Sequence, residues 1–213
     1  MKNQLYFTVF KRYIKSPFCF KLLIVAVSCG LASCTTSSTW LNSDRIQSSF
    51  GSYGVDVLYS AQGRRISSLY STEDGGKVTR TYAVVDFPGE PREPYAREHA
   101  RIEAGASIGE TFRGAGWQVS KQHLYIGEFE IPAAYTDIGK LMQIALPKNL
   151  ATHVYVLRIR KDDQSFSYAT ITEIHHPDYL RKADLVKIYG EVIFDDSNRD
   201  SIHDFIGAPN PPK

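Results

Sequence analysis

The sequence predicts an α+β domain with a largely antiparallel sheet of about seven strands and two to four short helices. Short runs rich in β-branched and aromatic residues recur beyond residue 50, and turn signals separate them. Segments with helical features are fewer, and the elements follow the order β-β-β-α-β-α-β-β-β. Because most strands follow one another directly, hairpins connect them, and we expect the helices to lie on one face of the sheet.

The first three strands form one unit. The runs YGVDVLYS, RISSLYST and KVTRTYAVVDF carry the strand-forming residues, and the turn signals AQGR and EDGG lie between them. Since both connections are short, the spacing predicts a three-stranded antiparallel meander.

Two short helices follow the meander. The segment EPYAREHARIEAG is helical by composition, and Gly105 at its end suits the C′ position of a helix. The next segment, SIGETFRGAG, begins with Ser107 and Glu110 at the S-x-x-E spacing of a capping box. We therefore expect the hydroxyl of Ser107 to cap the second helix.

A strand and an amphipathic helix come next. The run WQVSKQHLYIGEFEI is rich in strand-forming residues. In AAYTDIGKLMQIAL, apolar residues recur at positions i, i+3, i+4 and i+7, which is the spacing of one helix face.

The last segments of the sequence predict a hairpin, a further strand and a helix. THVYVLRIR and FSYATITEI flank the polar turn KDDQ, as the two strands of a hairpin do. We expect DLVKIYGEVIF to be the last strand and SNRDSIHDFIG to be a short capped helix.

The segments that flank these elements have a different composition. From Thr35 to Ser49, eight of fifteen residues are Ser or Thr, which leaves too little apolar surface to offset the entropy of ordering. The sequence predicts a flexible tether over residues 34–49, one globular domain over 50–207 and a frayed tail over 208–213.

Residues 1–33 have the parts of a secretory signal peptide. They contain five basic residues and no acidic one, and the mostly apolar run LLIVAVSCGLA follows the last of them. Eleven residues are too few to span a bilayer core as a helix. The rest of the chain has 20 basic and 23 acidic residues, so its net charge of −3 gives no indication of a nucleic-acid partner.

Leu31-Ala32-Ser33-Cys34 resembles the lipobox of bacterial lipoproteins, and its place directly after a basic and an apolar segment strengthens the resemblance. The resemblance implies that Cys34 receives a diacylglycerol, that the signal is cut just before it, and that the new α-amine is acylated. Cys19 and Cys29 would leave with the signal, so the mature chain would keep no disulfide.

The same resemblance implies a location and a partner. The membrane would hold the protein through the lipid on Cys34. In such lipoproteins Asp after the cysteine commonly marks retention in the inner membrane, so Thr35 favours the outer membrane, on its periplasmic side. The periplasmic face of the inner membrane is the alternative.

One candidate site contains a serine. Gly105-Ala106-Ser107-Ile108-Gly109 satisfies the G-x-S-x-G pattern, which in α/β-hydrolases presents a nucleophile at a strand-to-helix turn. Asp178 and His203 could then serve as acid and histidine of a small envelope hydrolase. The structural alternative is that Gly105 ends one helix and Ser107 begins the next.

A second candidate site is a metal centre formed by His153, Glu173 and His175, because imidazoles and a carboxylate are ligands that Zn²⁺ accepts. If the hairpin loop covers residues 162–164, His153 faces Glu173, and His175 is a diagonal neighbour on the same face. A slip of one residue moves His153 to the opposite face.

These features favour a non-enzymatic module that binds a ligand or an envelope protein, or that supports an assembly. The sequence contains no cofactor-binding loop, and we expect no cofactor. The serine hydrolase is the alternative function.

Overall fold

The computed structural model describes residues 40–192, and every structural statement below concerns that part of the chain. The predicted signal peptide, Cys34, His203, the predicted helix that contains His203 and the tail over 208–213 lie outside the described residues. Within them, no helix is both long enough and apolar enough to cross a bilayer.

The described chain forms one α+β domain with a six-stranded antiparallel sheet, which confirms the predicted fold class. The strands lie in the order β1-β2-β3-β6-β5-β4. Their bounds are β1 Gly54–Ala61, β2 Arg64–Glu73, β3 Gly76–Asp86, β4 Gln118–Ile131, β5 Lys148–Lys161 and β6 Gln164–His175. Five α-helices accompany them: α1 Asn42–Phe50, α2 Ala96–Glu103, α3 Ile108–Gly114, α4 Thr136–Met142 and α5 Lys182–Tyr189.

The predicted meander of β1, β2 and β3 is present, and its turns explain why. Gln62-Gly63 and Asp74-Gly75 occupy the two hairpin loops, and all four residues have positive φ. Two successive residues of positive φ match the twist of the flanking strands, and glycine adopts this conformation without strain. Pairing of β3 with β6 then joins the meander to the second group of strands.

The helices cover both faces of the sheet, so the expectation that they lie on one face is wrong. Ile138 and Met142 of α4 pack on one face with Tyr82 of β3. On the other face, Ile102 of α2 and Phe112 of α3 pack in a second cluster. The reason is that β3 is buried on both sides over most of its length, and each apolar face of a sheet needs a covering layer.

Helix α1 lies within the segment predicted to be a tether, so the folded domain begins before residue 50. The backbone N–H of Leu41 donates to the carboxylate of Asp44 over 2.9 Å, which caps the first turn. Ile46 is fully buried. Helix α1 has only two apolar residues, Ile46 and Phe50, among polar ones. Two residues are too few to establish a helical period, which is why the sequence pattern did not reveal α1.

The run predicted to be the last strand contains helix α5 instead. The backbone N–H of Arg181 donates to Asp184 over 2.9 Å, and Gly190 follows the helix at φ +84°. Leu185 is fully buried and packs with Leu180 and Ala151. The β-branched residues of this run suggested a strand, but the acidic cap and the burial of Leu185 favour a helix.

Candidate functional site

The pairing of β5 with β6 brings His153, Glu173 and His175 together. The hairpin loop has two residues, since Lys161 pairs with Gln164. A bulge between the pairs Arg158–Ser167 and Leu157–Ala169 inserts one extra residue into β6 and shifts the register by one. His153 therefore pairs with Glu173. This is the pairing expected for a three-residue loop over residues 162–164, although the loop itself is one residue shorter.

The three side chains form a buried cluster. Their relative exposures are 0% for His153, 4% for Glu173 and 1% for His175. The Oε2 atom of Glu173 lies 3.7 Å from Nδ1 of His153 and 3.9 Å from Nε2 of His175. All three atoms lie within 4.8 Å of one another. Neither of these two nitrogens has a hydrogen-bond partner among the described residues.

The second nitrogen of each imidazole ring contacts a side chain on another strand. Nδ1 of His175 lies 3.0 Å from Oγ1 of Thr81, on β3. Nε2 of His153 lies 2.8 Å from Nδ1 of His123, on β4, and the two rings stack. These contacts fix both rings so that the unpartnered nitrogens point toward Glu173.

The carboxylate of Glu173 is held by groups from three further elements. Its Oε1 accepts hydrogen bonds from the hydroxyl of Tyr155 on β5, over 3.1 Å, and from Nδ2 of Asn42 on α1, over 3.3 Å. Its Oε2 lies 3.5 Å from the ammonium group of Lys121 on β4, whose side chain is only 14% exposed. Glu173 and Lys121 thus form a buried ion pair.

Burial decides the charge of the imidazoles. It lowers the pKa of His153 to about 3 and the pKa of His175 to about 4, and the charge of Lys121 acts in the same direction. Burial alone would raise the pKa of Glu173, but Lys121, His153 and His175 together outweigh that effect and hold this pKa below its usual range. At neutral pH the cluster therefore contains two neutral imidazoles, a carboxylate and an ammonium group.

A cavity of about 90 Å³ adjoins the cluster. It lies between the sheet and the N-terminal ends of α1 and α3, and both Lys121 and Glu173 line it. Most of its wall is apolar, formed by side chains such as Val55, Leu69, Ala83, Val85, Leu157 and Ile171.

Arg65 also lines this cavity, and it is 2% exposed. Its Nε donates to Oγ of Ser67 over 2.9 Å, and its Nη1 donates to the carbonyl oxygens of Ile102 and Ala106 over 2.8 and 2.9 Å. These partners are neutral, and no carboxylate of the described chain forms an ion pair with Arg65. Burial lowers the pKa of Arg65, as expected for a cation in such a place.

Ser107 occupies the N-cap position of α3, as predicted, but its side chain makes no capping hydrogen bond. Its hydroxyl contacts Tyr53 instead, and burial raises the pKa of Tyr53 to about 12. The capping-box prediction for Ser107 and Glu110 is therefore wrong, because the serine side chain turns toward the cavity that it lines.

The proposed catalytic serine also lacks the local fold of a nucleophile turn, since helix α2, rather than a strand, precedes it. Asp178 is exposed in the turn after β6, where its backbone N–H donates to Nδ1 of His176. His203, the third predicted member, lies outside the described residues.

Sequence reasoning missed four members of this region: Asn42, Arg65, Lys121 and His123. Each is a polar residue in a segment predicted to be tether or strand, and no motif distinguishes it.

No family model matches the chain, and no curated protein matches it.

The lowered histidine pKa values predict acid sensitivity of the metal-free domain. An unfolded histidine has a pKa of about 6.5 and takes up a proton there, whereas His153 and His175 stay neutral in the fold until about pH 3 and 4. Their contribution to stability is therefore present above pH 6.5 and is lost as the pH falls. Between pH 6 and 5, these two residues should add about two protons to the uptake that accompanies unfolding. Each such proton lowers the free energy of unfolding by about 1.4 kcal/mol for each pH unit that the pH falls.

Urea titrations at half-unit pH steps, with a chelator present, measure this slope. His175→Gln should lower the uptake by about one proton. A free energy of unfolding that does not change between pH 6 and 5 would contradict the burial of neutral imidazoles.

Proposed function

We propose that this chain is a lipid-anchored bacterial envelope lipoprotein whose folded domain is a non-enzymatic binding module. The anchor is supported by Leu31-Ala32-Ser33-Cys34 directly after a basic and an apolar segment. Thr35 after the cysteine favours the periplasmic side of the outer membrane over the inner membrane. The lipid on Cys34 would be the contact with the membrane.

The proposed binding role rests on the cavity that Arg65 lines. A buried guanidinium without a carboxylate partner is costly in free energy, and a bound anion would compensate its charge. The hydrogen bonds to Ser67, Ile102 and Ala106 use Nε and Nη1. The two N–H donors of Nη2 are then available to a ligand, because guanidinium has five donors in all.

The other lining residues and the volume of the cavity limit the class of ligand that it can bind. Its walls are mostly apolar, and its volume is about 90 Å³. The charges of Lys121 and Glu173 on the wall offset each other, which leaves Arg65 as the excess charge. A small organic acid with a short apolar body fits these walls, since its carboxylate would meet Arg65 and its carbon chain the aliphatic side chains.

The cavity also lies near the anchor in sequence. Helix α1, which forms part of the cavity wall, begins eight residues after Cys34, at Asn42. An extended chain of that length reaches about 25–30 Å at most. The binding site would thus be held close to the bilayer surface.

Replacement of Cys34 tests the anchor. Cys34→Ser should abolish uptake of labelled palmitate and leave an uncut precursor, because only the thiolate of this residue would be the lipid acceptor. Cys29→Ser is the matched control and should label normally. Continued labelling of the Cys34→Ser protein would contradict the proposed anchor.

Thermal melting of the soluble domain with acids of two to six carbons tests the ligand. At ten times its Kd, the best acid should stabilise the domain by about 1.4 kcal/mol, which raises Tm by about 4 °C. Arg65→Lys should lose most of this shift, because an ammonium group lacks the two donors of Nη2.

Arg64→Lys is the matched control, since Arg64 pairs with Asp86 and is absent from the cavity wall. The corresponding alcohols should give no shift. Equal shifts by acids and alcohols, or no shift by any acid, would contradict the proposed ligand class.

A further inference from the structure

Two unpartnered nitrogens in one buried cluster require a physical explanation. His153 Nδ1 and His175 Nε2 belong to side chains at most 1% exposed, and neither has a hydrogen-bond partner among the described residues. Each unmet buried polar group costs about 1–3 kcal/mol. Both nitrogens lie within 4 Å of the same oxygen of Glu173, which is too far for a hydrogen bond but suits a shared ion between them.

The separations fit a first-row transition metal ion. Two of the three separations are 3.7 and 3.9 Å, and the third is at most 4.8 Å. A point equally far from all three atoms then lies at most about 2.5 Å from each, whereas Zn–N and Zn–O bonds are about 2.0–2.2 Å. A contraction of a few tenths of an ångström would complete the bonds. Two imidazoles and one carboxylate form a ligand set that Zn²⁺ accepts with a fourth position open.

The surrounding contacts have the pattern of an outer shell. A metal-binding histidine usually makes a hydrogen bond through its second nitrogen, and His175 has Thr81 there, whereas His153 has His123. The second oxygen of Glu173 is held by Tyr155. Each ligand is therefore oriented by a residue from a different strand: β3, β4 or β5.

The ammonium group of Lys121 would compete with a metal ion for the carboxylate of Glu173. Its ammonium group lies 3.5 Å from Glu173 Oε2, the same oxygen that the ion would use, and 4.0 Å from the centre of the Tyr155 ring. Two positive ions beside one carboxylate repel each other. A long, flexible side chain that lines the cavity can withdraw into it when the ion binds.

We propose that His153, Glu173 and His175 bind a divalent transition-metal ion of the Zn²⁺ class, in competition with the ammonium group of Lys121 for the carboxylate. The site is separate from the organic-acid site at Arg65, although Lys121 and Glu173 line the cavity as well. Metal binding and acid binding can therefore succeed or fail independently.

Zinc titration of the untagged, chelator-treated domain against a chromophoric chelator tests the proposal. The parent protein should bind one ion per chain. Lys121→Met should bind zinc at least tenfold more tightly, because the competing charge is removed. His153→Gln and Glu173→Gln should each weaken binding at least 100-fold. Thr81→Val, which removes the contact behind His175 and the bond that Asn42 donates to Thr81, should weaken it about 10–100-fold.

His99→Gln is the matched control, because His99 is a buried histidine in another part of the fold, bonded to Tyr168. It should bind zinc like the parent. Far-UV circular dichroism of each variant checks that it is folded, and the gain in Lys121→Met does not depend on any destabilised variant. Absence of stoichiometric binding by both the parent and Lys121→Met would overturn the proposal, as would equal binding by His153→Gln and the parent. In the absence of an organic acid, Arg65→Lys should bind zinc like the parent, because Arg65 is not a ligand of the metal site.

Discussion

The buried carboxylate of Glu173 is the constraint on which the arrangement of this domain depends. It lies on a central strand, it is 4% exposed, and it stays ionised beside Lys121. A charge in that position is tolerated only if hydrogen bonds and an opposite charge surround it. The required groups come from α1, β4 and β5, through Asn42, Lys121 and Tyr155. The carboxylate, itself on β6, thus links the N-terminal helix to β4 and β5.

The same ion pair connects the two proposed binding sites. Lys121 and Glu173 belong to the histidine cluster and also line the cavity that contains Arg65. If a metal ion displaces Lys121 into the cavity, the positive charge there increases, and affinity for an organic acid increases with it. By linkage, a bound acid would then favour the metal by the same factor. If Cys34 carries the proposed lipid, this pair of sites lies only a short chain length from the anchor.

The parts of the fold that the sequence predicted are those with a local cause. The meander follows from its turn residues, and the sheet follows from runs of β-branched residues. Helix α1 could not be predicted in this way, because its stability comes from the burial of Ile46 and from the bonds of Asn42 to distant residues. The hairpin register depended on a bulge at Tyr168 that no turn signal indicated. For the candidate site, the sequence supplied the three clustered residues but left their register open, and it gave no reason to choose Lys121 or Arg65.

A double-mutant cycle on Glu173 and Lys121, measured by urea unfolding at pH 7 with a chelator present, tests this constraint most directly. Glu173→Gln alone should cost about 3–5 kcal/mol, because it leaves a buried ammonium group unpaired. In the Lys121→Met background the same change should cost much less, with a coupling energy above about 1 kcal/mol. Additive losses, equal within about 0.5 kcal/mol in the two backgrounds, would contradict the view that this buried ion pair organises the domain.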